Sequence, residues 1–598
     1  MAHISWLTFN LLISFHFTLL LAQLQCPPLG PILPSPTNLT QNVQLQQVLA
    51  AITAQLQNFS SSSLDNATAL SVGVRSVHES APLLSFHYTP PVFNKSGTHN
   101  VDGDTVYSIG SATKLLTALS ILQLQAQGKV DLADSITKYV PRLAQMSNKS
   151  QEDSLLAVDW ESVTVDALMS HLGGIGADLT NNVIPYVPGI TEETGLPPLT
   201  QSQDSLSCGG VPGTPGCTWN DFFDNFGRRP PVYAPFTTPV YSNIGYSLLG
   251  RVIENVSGKT YAVYLEDAIF TPANLTRTFV GAPANSSLGF IPAATSWWGT
   301  SLGYENSSGG IYSSNNDLLS LGAAILSSSS SVSSNTKTLL APAQARAWLK
   351  PRTFTSSAGV YVGAPWEIAR GANLTADGHV VDFYTKTGNL GDYTAILALV
   401  PDYDLVMTMN LAGPDSSIAA IQVLFSTLVR ALLPPVAHAA TSEAAHRYAG
   451  TYTSPSSPGI GSGTNSTTST ITLVVDDYGL AVSTFSARGV DVLGTYAATL
   501  GGADTNTTTA IRLYPTNLGS GNQTAWRAVY QTSSAAELAA FDAQLFFPQG
   551  SCQSWTGIDL QTYGFEALDY FVFTADDDGG VVVQVEPVAW RLVLGREE

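Results

Sequence analysis

Three short polar clusters carry residue types able to do acyl chemistry: Ser111-Ala112-Thr113-Lys114, Tyr241-Ser242-Asn243 and Lys386-Thr387-Gly388. Ser111 and Lys114 stand three positions apart where a helically periodic segment begins, so both side chains leave one face. A serine hydroxyl attacks a carbonyl when a base lies beside it, and a lysine one turn away is such a base once its pKa is depressed. The partial positive charge of a helix N-terminus disfavours the ammonium and favours a developing oxyanion. Tyr241, if held near two lysines, has its phenol pKa lowered and serves as acid and base. Asn243 can bridge the nucleophile's lysine and a substrate amide or ester carbonyl. Lys386 brings the second cation, which depresses the tyrosine and can orient a substrate carboxylate. Thr387 adds a hydroxyl donor, and Gly388 leaves room for substrate backbone. Each cluster alone recurs by chance; only the set carries weight.

The elements that must position these residues follow from periodicity. Leu115, Leu116, Leu119, Ile121 and Leu122 fit a helix over 111–127, with Gly128 at its C-terminal glycine position. Tyr241-Ser242-Asn243 precedes a helix expected over 246–255, and Lys386 closes a strand that alternates as Val381-Phe383-Thr385. Further helices are expected at 42–57, 261–269 and 317–326, the last followed by a Ser-rich loop over 327–334. Strands are expected at 68–89 (a pair), 360–367, 379–387, 394–399 and 405–411. A last helix over 416–433 is expected to stop at Pro434-Pro435. Residues 185–240, rich in Pro and Gly, read as a long surface excursion. Beyond about residue 440, strand-like stretches at 469–475, 480–485 and 581–585 alternate with turns, an all-β pattern placing a second domain at 445–598.

A chain of 598 residues with 44% hydrophobic content has material for two or more cores. A net charge of -20, with no long run of like charge, argues against nucleic acid and anionic membrane as partners. No Cys/His cluster has metal-ligand spacing and no Gly-rich phosphate loop follows a strand, so neither metal nor cofactor is expected. Residues 1–22, with the apolar run Leu11 to Ala22, read as a secretory signal, leaving a leader at 23–64 before the first domain at 65–440. Secretion agrees with thirteen Asn-x-Ser/Thr sequons between Asn38 and Asn522, and it frees the mature protein from the membrane. The four cysteines form an even set; Cys208 with Cys217 and Cys26 with Cys552 is the favoured one of three pairings. Nothing in the sequence sets an oligomeric state.

In order and setting, the three clusters resemble the serine β-lactamase/penicillin-binding-protein superfamily. With Tyr in the second cluster, the chain looks closest to class C β-lactamases, D-aminopeptidase-like peptidases and related esterases, of a secreted fungal type. Surrounding text agrees: Gly128-Lys129-Val130-Asp131-Leu132, Leu168-Met169-Ser170-His171-Leu172-Gly173-Gly174, Tyr241 to Gly250, and Gly309 to Leu318 resemble family segments, over roughly 65–435. The resemblance implies an α/β (α+β) β-lactamase/transpeptidase-like domain, with a central antiparallel sheet flanked by helices. It also implies a lipocalin-like C-terminal domain, whose opening strand would be Tyr448 to Tyr452. By residue it implies Ser111 as nucleophile, Lys114 as its basic partner, Tyr241 as acid/base, and Asn243 and Lys386 as positioning groups. Thr387, Gly388 and Asn389 would face substrate, with the oxyanion hole from the backbone N–H groups of Ser111 and Asn389. His99, His171 and His379 are then structural. The chain departs from the Tyr-type β-lactamases at Asn389-Leu390-Gly391-Asp392-Tyr393, which argues against an antibiotic site. The expected function is a secreted serine hydrolase that forms an acyl-enzyme on Ser111 from a small-molecule or peptide-like ester, amide or lactam. An acyltransferase tailoring a secondary metabolite, or a silent binding protein of the same fold, are the alternatives.

Overall fold

In the computed structural model of the chain, the described residues are 26–147, 153–178, 195–197, 208, 210, 212–226, 229–293, 297–329, 338–454, 467–499, 509–577 and 579–597. The expected signal at 1–22, much of the 185–240 excursion and most of the Ser-rich tract lie outside them.

The leader contributes a helix, α1 (Val43–Ser62), opened by the Asn42 side chain, which accepts from the Leu45 N–H. An eight-stranded antiparallel sheet follows: β1 (Ala69–Ser76), β2 (Leu84–Tyr88), β3 (Thr353–Phe354), β4 (Val360–Val362), β5 (Glu367–Gly371), β6 (Val381–Leu390), β7 (Tyr393–Val400) and β8 (Leu405–Ala412). Their order across the sheet is β2-β1-β8-β7-β6-β5-β4-β3. Residues 360–367, expected as one strand, are two, because Gly363 to Trp366 form a turn closed by Gly363 N–H donating to Trp366 O (2.7 Å). Pro365 in that turn has no N–H to give to a ladder.

Alternation along the central strands feeds two cores, one on each face of the sheet. Ala395, Leu397 and Leu399 of β7 face the core built with α2 (Thr113–Ala126), α3 (Asn243–Ser257) and α4 (Asn315–Ser329). Ile396, Ala398 and Val400 face the other, with Leu45, Leu49 and Ile52 of α1 and Leu428, Leu432 and Leu433 of α5 (Ile418–Tyr448). Burial on both faces holds the middle of the sheet rigid, and α2, which follows Ser111, lies against it.

Helix α5 departs from expectation: it does not stop at Leu433 but runs through Pro434-Pro435 to Tyr448. The prolines take the i→i−4 partners from the Arg430 and Ala431 carbonyls. Burial on both sides of them outweighs that loss, since Val436, Ala439 and Ala440 stay in the interior and Ala444 and Tyr448 enter a third core.

That third core fills a barrel of Gly450–Thr453, Thr470–Asp476, Gly479–Ala487, Ala510–Ser520, Gln523–Gln531, Tyr570–Ala575, Val582–Pro587 and Leu594–Arg596. The ring closes because Thr470–Asp476 pairs with both Gly450–Thr453 and Gly479–Ala487. Closure leaves few open edges. Short helices at Val492–Thr499, Ala535–Asp542 and Ser554–Gly557 interrupt the strands. The start of the leader belongs to this barrel: Leu33 is buried in its core, and Ser554 Oγ donates to Pro27 O (3.2 Å). The barrel packs on the end of α5, whose Ala444 and Tyr448 lie in its core.

The Cys208–Cys217 disulfide is formed. The other expected pairing is not closed: Cys26 and Cys552 are thiols that hydrogen-bond each other.

Candidate active site

Ser111 sits in a 3-10 turn, Gly110–Ala112, that leads directly into α2. Two glycines let β6 press backbone to backbone on this turn. A Cβ on Gly388 would lie 1.9 Å from Ile109 O and 2.7 Å from both Ser111 N and Ala112 N. Gly110 has φ +48, and a Cβ there would lie 2.7 Å from Asn389 N. The room left by Gly388 is therefore filled by the turn that carries Ser111, not by substrate as expected from the sequence. The same contact sets the backbone of Asn389 against the turn that carries Ser111.

Lys114 is fully buried one turn along the helix. Its Nζ donates to Ser111 Oγ (3.0 Å), Asn243 Oδ1 (2.6 Å) and Ser308 O (2.7 Å). Burial pushes its pKa down, and the nearby Lys386 adds to that, outweighing the opposing pull of Tyr241 and Asp178. A lysine so placed is a base in contact with the hydroxyl it would deprotonate.

Tyr241 leads into α3, whose start is capped by Ser242 Oγ accepting from the Gly245 N–H. Its ring lies 4.9 Å from Lys114 Nζ and 5.2 Å from Lys386 Nζ. Burial of the hydroxyl opposes ionisation, but the two ammoniums, with hydrogen bonds from Ser111 and Lys114, hold the phenol below its usual range. Tyr241 as a residue is 41% exposed, so it borders solvent although its hydroxyl is buried. His171 is buried beneath it, and burial and both lysines push its pKa well below the usual value. Its ring packs 4.4 Å from Tyr241, and Nδ1 accepts from the Ser242 N–H (3.1 Å).

Lys386, 1% exposed, is held charged by a residue that sequence reasoning missed. Burial disfavours the ammonium, but the Glu367 carboxylate at the start of β5 and the Tyr241 phenol more than reverse this. Glu367 accepts from Lys386 Nζ through Oε1, and through Oε2 from Thr387 N–H (2.9 Å) and Thr387 Oγ1 (2.8 Å). The Thr387 hydroxyl, expected to face substrate, is thus turned to Glu367. The Asn389 side chain likewise folds into the β6–β7 turn, where Nδ2 donates to Tyr393 O (3.0 Å) and Thr394 Oγ1 (2.8 Å). Its backbone is what remains for the site. Among the described residues, no group of acidic, His and Cys side chains could hold a metal ion.

Ser111, Lys114, Tyr241, Asn243 and Lys386 are thus brought together from three separate stretches of chain, with Lys114 touching Ser111 and Asn243 and the Tyr241 ring lying beside both lysines. Residues 84–423 match the family described as Beta-lactamase, and residues 440–598 match that described as Beta-lactamase-like-like, C-terminal domain. The chain belongs to the beta-lactamase family. Over 585 residues it is 30% identical to a "Beta-lactamase-like protein" of Arthroderma benhamiae, covering 94% of both chains. A probable hydrolase of Phoma sp. is 27% identical over 478 residues, covering 77% of this chain and 73% of that one. Among solved structures, a beta-lactamase/D-alanine carboxypeptidase from Yersinia pestis superposes with a TM-score of 0.47 at 18% identity, over 66% of this chain and 100% of that one. The beta-lactamase-family domain therefore carries the polar cluster, and the barrel is the family's C-terminal companion.

Proposed function

We propose that the protein is a secreted serine hydrolase that acylates Ser111 with a small-molecule or peptide-like ester, amide or lactam and releases the acyl group to water. The observation that carries this reading is the 3.0 Å contact of Ser111 Oγ with the Nζ of a fully buried lysine. Lys114 and Tyr241 lie against each other and each acts on the other's proton, so we take them together as one base when they hold one proton fewer. As Ser111 Oγ bonds to the carbonyl carbon, its proton passes to that pair, and the carbonyl oxygen becomes an oxyanion facing the Ser111 and Asn389 N–H groups. Collapse breaks the bond to the leaving group, which departs with the proton from Tyr241. A water entering past Tyr241 attacks the ester as the pair takes its proton; the C–Oγ bond then breaks, the pair gives that proton to Ser111 Oγ, and the acid leaves with the base restored. Lys386, fixed by Glu367, keeps positive charge beside the phenol throughout.

The apolar run before Ala22, the sequons and the disulfide support an extracellular, N-glycosylated protein. Turnover of p-nitrophenyl esters, D-amino-acid amides and nitrocefin, by wild type and Ser111→Ala, tests the reading. At least one substrate should be hydrolysed at a rate that Ser111→Ala lowers by about 10³-fold or more. Equal rates for the two proteins on every substrate would end it. Added alcohol that diverts product to an ester would make the protein an acyltransferase through the same intermediate.

A further inference from the structure

Asn243 touches Lys114 with one end of its amide; the other end points at a carboxylate that the reaction outlined above does not use. Asn243 Nδ2 donates to Asp178 Oδ1 (2.8 Å) while Asn243 Oδ1 accepts from Lys114 Nζ (2.6 Å). An ammonium only donates and a carboxylate only accepts, so these two partners admit one orientation of the amide.

The segment bearing Asp178 is fastened to the start of α3. The Asn243 N–H (2.8 Å) and the Ile244 N–H (3.2 Å) both donate to Ala177 O, and Ser242 Oγ donates to Gly176 O (2.8 Å). The Arg229 guanidinium donates to the Asp178 carbonyl. Asp178 is therefore placed by backbone contacts that do not depend on its own carboxylate. Its charge is felt on the far side as well. Burial first, and Asp178 next, raise the Glu305 carboxyl to about 7. Asp178 also opposes the depression of Lys114.

We propose that Asp178 is a positioning residue for acyl transfer: it anchors the Asn243 amide so that Oδ1 stays on Lys114 and holds that lysine against Ser111. This inference rests on the acyl-enzyme reading of the site. Without Asp178 the amide keeps its lysine partner but loses its anchor, and Lys114 loses a fixed acceptor. One hydrogen bond of this kind corresponds to about a tenfold effect on rate.

The test is a double-mutant cycle on a p-nitrophenyl ester that wild type turns over, with thermal unfolding measured for every variant. Asp178→Ala should lower kcat about tenfold and leave KM within about twofold, because the amide acts on the base and not on substrate binding. Asp178→Asn keeps an acceptor for Asn243 Nδ2 and should stay within about threefold of wild type, a rescue that removes misfolding as the cause. In an Asn243→Ala background, Asp178→Ala should lose most of its effect, keeping only what its charge does to Lys114 directly. A loss that persists undiminished in that background, or that falls mainly on KM, overturns the proposal, as does an Asp178→Asn variant no better than Asp178→Ala. Failure of wild type itself to acylate Ser111 would instead overturn the reading on which this one rests.

Discussion

Replacing Lys386 by Met removes one cation beside the Lys114–Tyr241 pair while keeping the volume of the buried stem. Lys386 Nζ lies 5.2 Å from the Tyr241 ring centre. At an effective dielectric near 20, a unit charge pair at that separation is worth about 3 kcal/mol, an upper bound of roughly two pKa units. The sign is fixed. Lys386 lowers both partners of the pair, so its loss raises their shared pKa, and the Glu367 carboxylate left behind acts in the same direction. The acid limb of kcat/KM should therefore move up by about one to two pH units, and activity near neutral pH should fall by about ten- to a hundredfold. The assay is kcat/KM from pH 5 to 10 on a neutral p-nitrophenyl ester, which has no carboxylate for Lys386 to bind. An unmoved limb in an active variant would refute the electrostatic role assigned to Lys386.

Other outcomes follow from the same structure. Gly388→Ala puts a Cβ on the backbone of the nucleophile's turn. It should cut kcat/KM on the same ester by about 10² or more, as an ångström of misplacement does; wild-type activity would contradict the contact. His379, 5% exposed, sits 2.5 Å from Asp377 and 3.5 Å from Asp402. Burial opposes its charge, but the two carboxylates overcome that and hold its pKa at about 9. That is above the unfolded value of about 6.5, so the stabilisation is complete below pH 6.5 and is lost as pH rises through 9, a contribution on the order of 3 kcal/mol. Urea unfolding from pH 6 to 9.5 should show that slope, and His379→Gln should flatten it. Cys26 and Cys552 hydrogen-bond each other; in oxidised protein a peptide map without reduction should contain them linked, and alkylation of both would contradict that.

Much of this arrangement was legible before the structure because its determinants are local. Leu115, Leu116, Leu119 and Leu122 mark α2 by spacing, and alternation marks the central strands. Ser111, Lys114 and Tyr241 were readable as candidates because each lies in a short patterned cluster at the start of a helix, and Lys386 because its cluster lies within an alternating strand. Their supports were not. Glu367 reaches Lys386 across a strand pairing, and Asp178 reaches Asn243 from 65 positions away. Neither carboxylate has a local pattern to mark it. Gly388 was readable as a place needing room, but what fills that room is set by tertiary packing against Ile109. Helix α5 failed the proline rule for the same reason, since burial around Val436 and Ala439 exceeds the local cost.

The account stands or falls on Ser111. Wild type mixed rapidly with excess p-nitrophenyl ester and quenched in acid should gain the mass of one acyl group. Digestion should place that mass on the peptide containing Ser111, and Ser111→Ala should gain none. Turnover of the ester with no covalent adduct, at a rate that Ser111→Ala matches, would contradict the account.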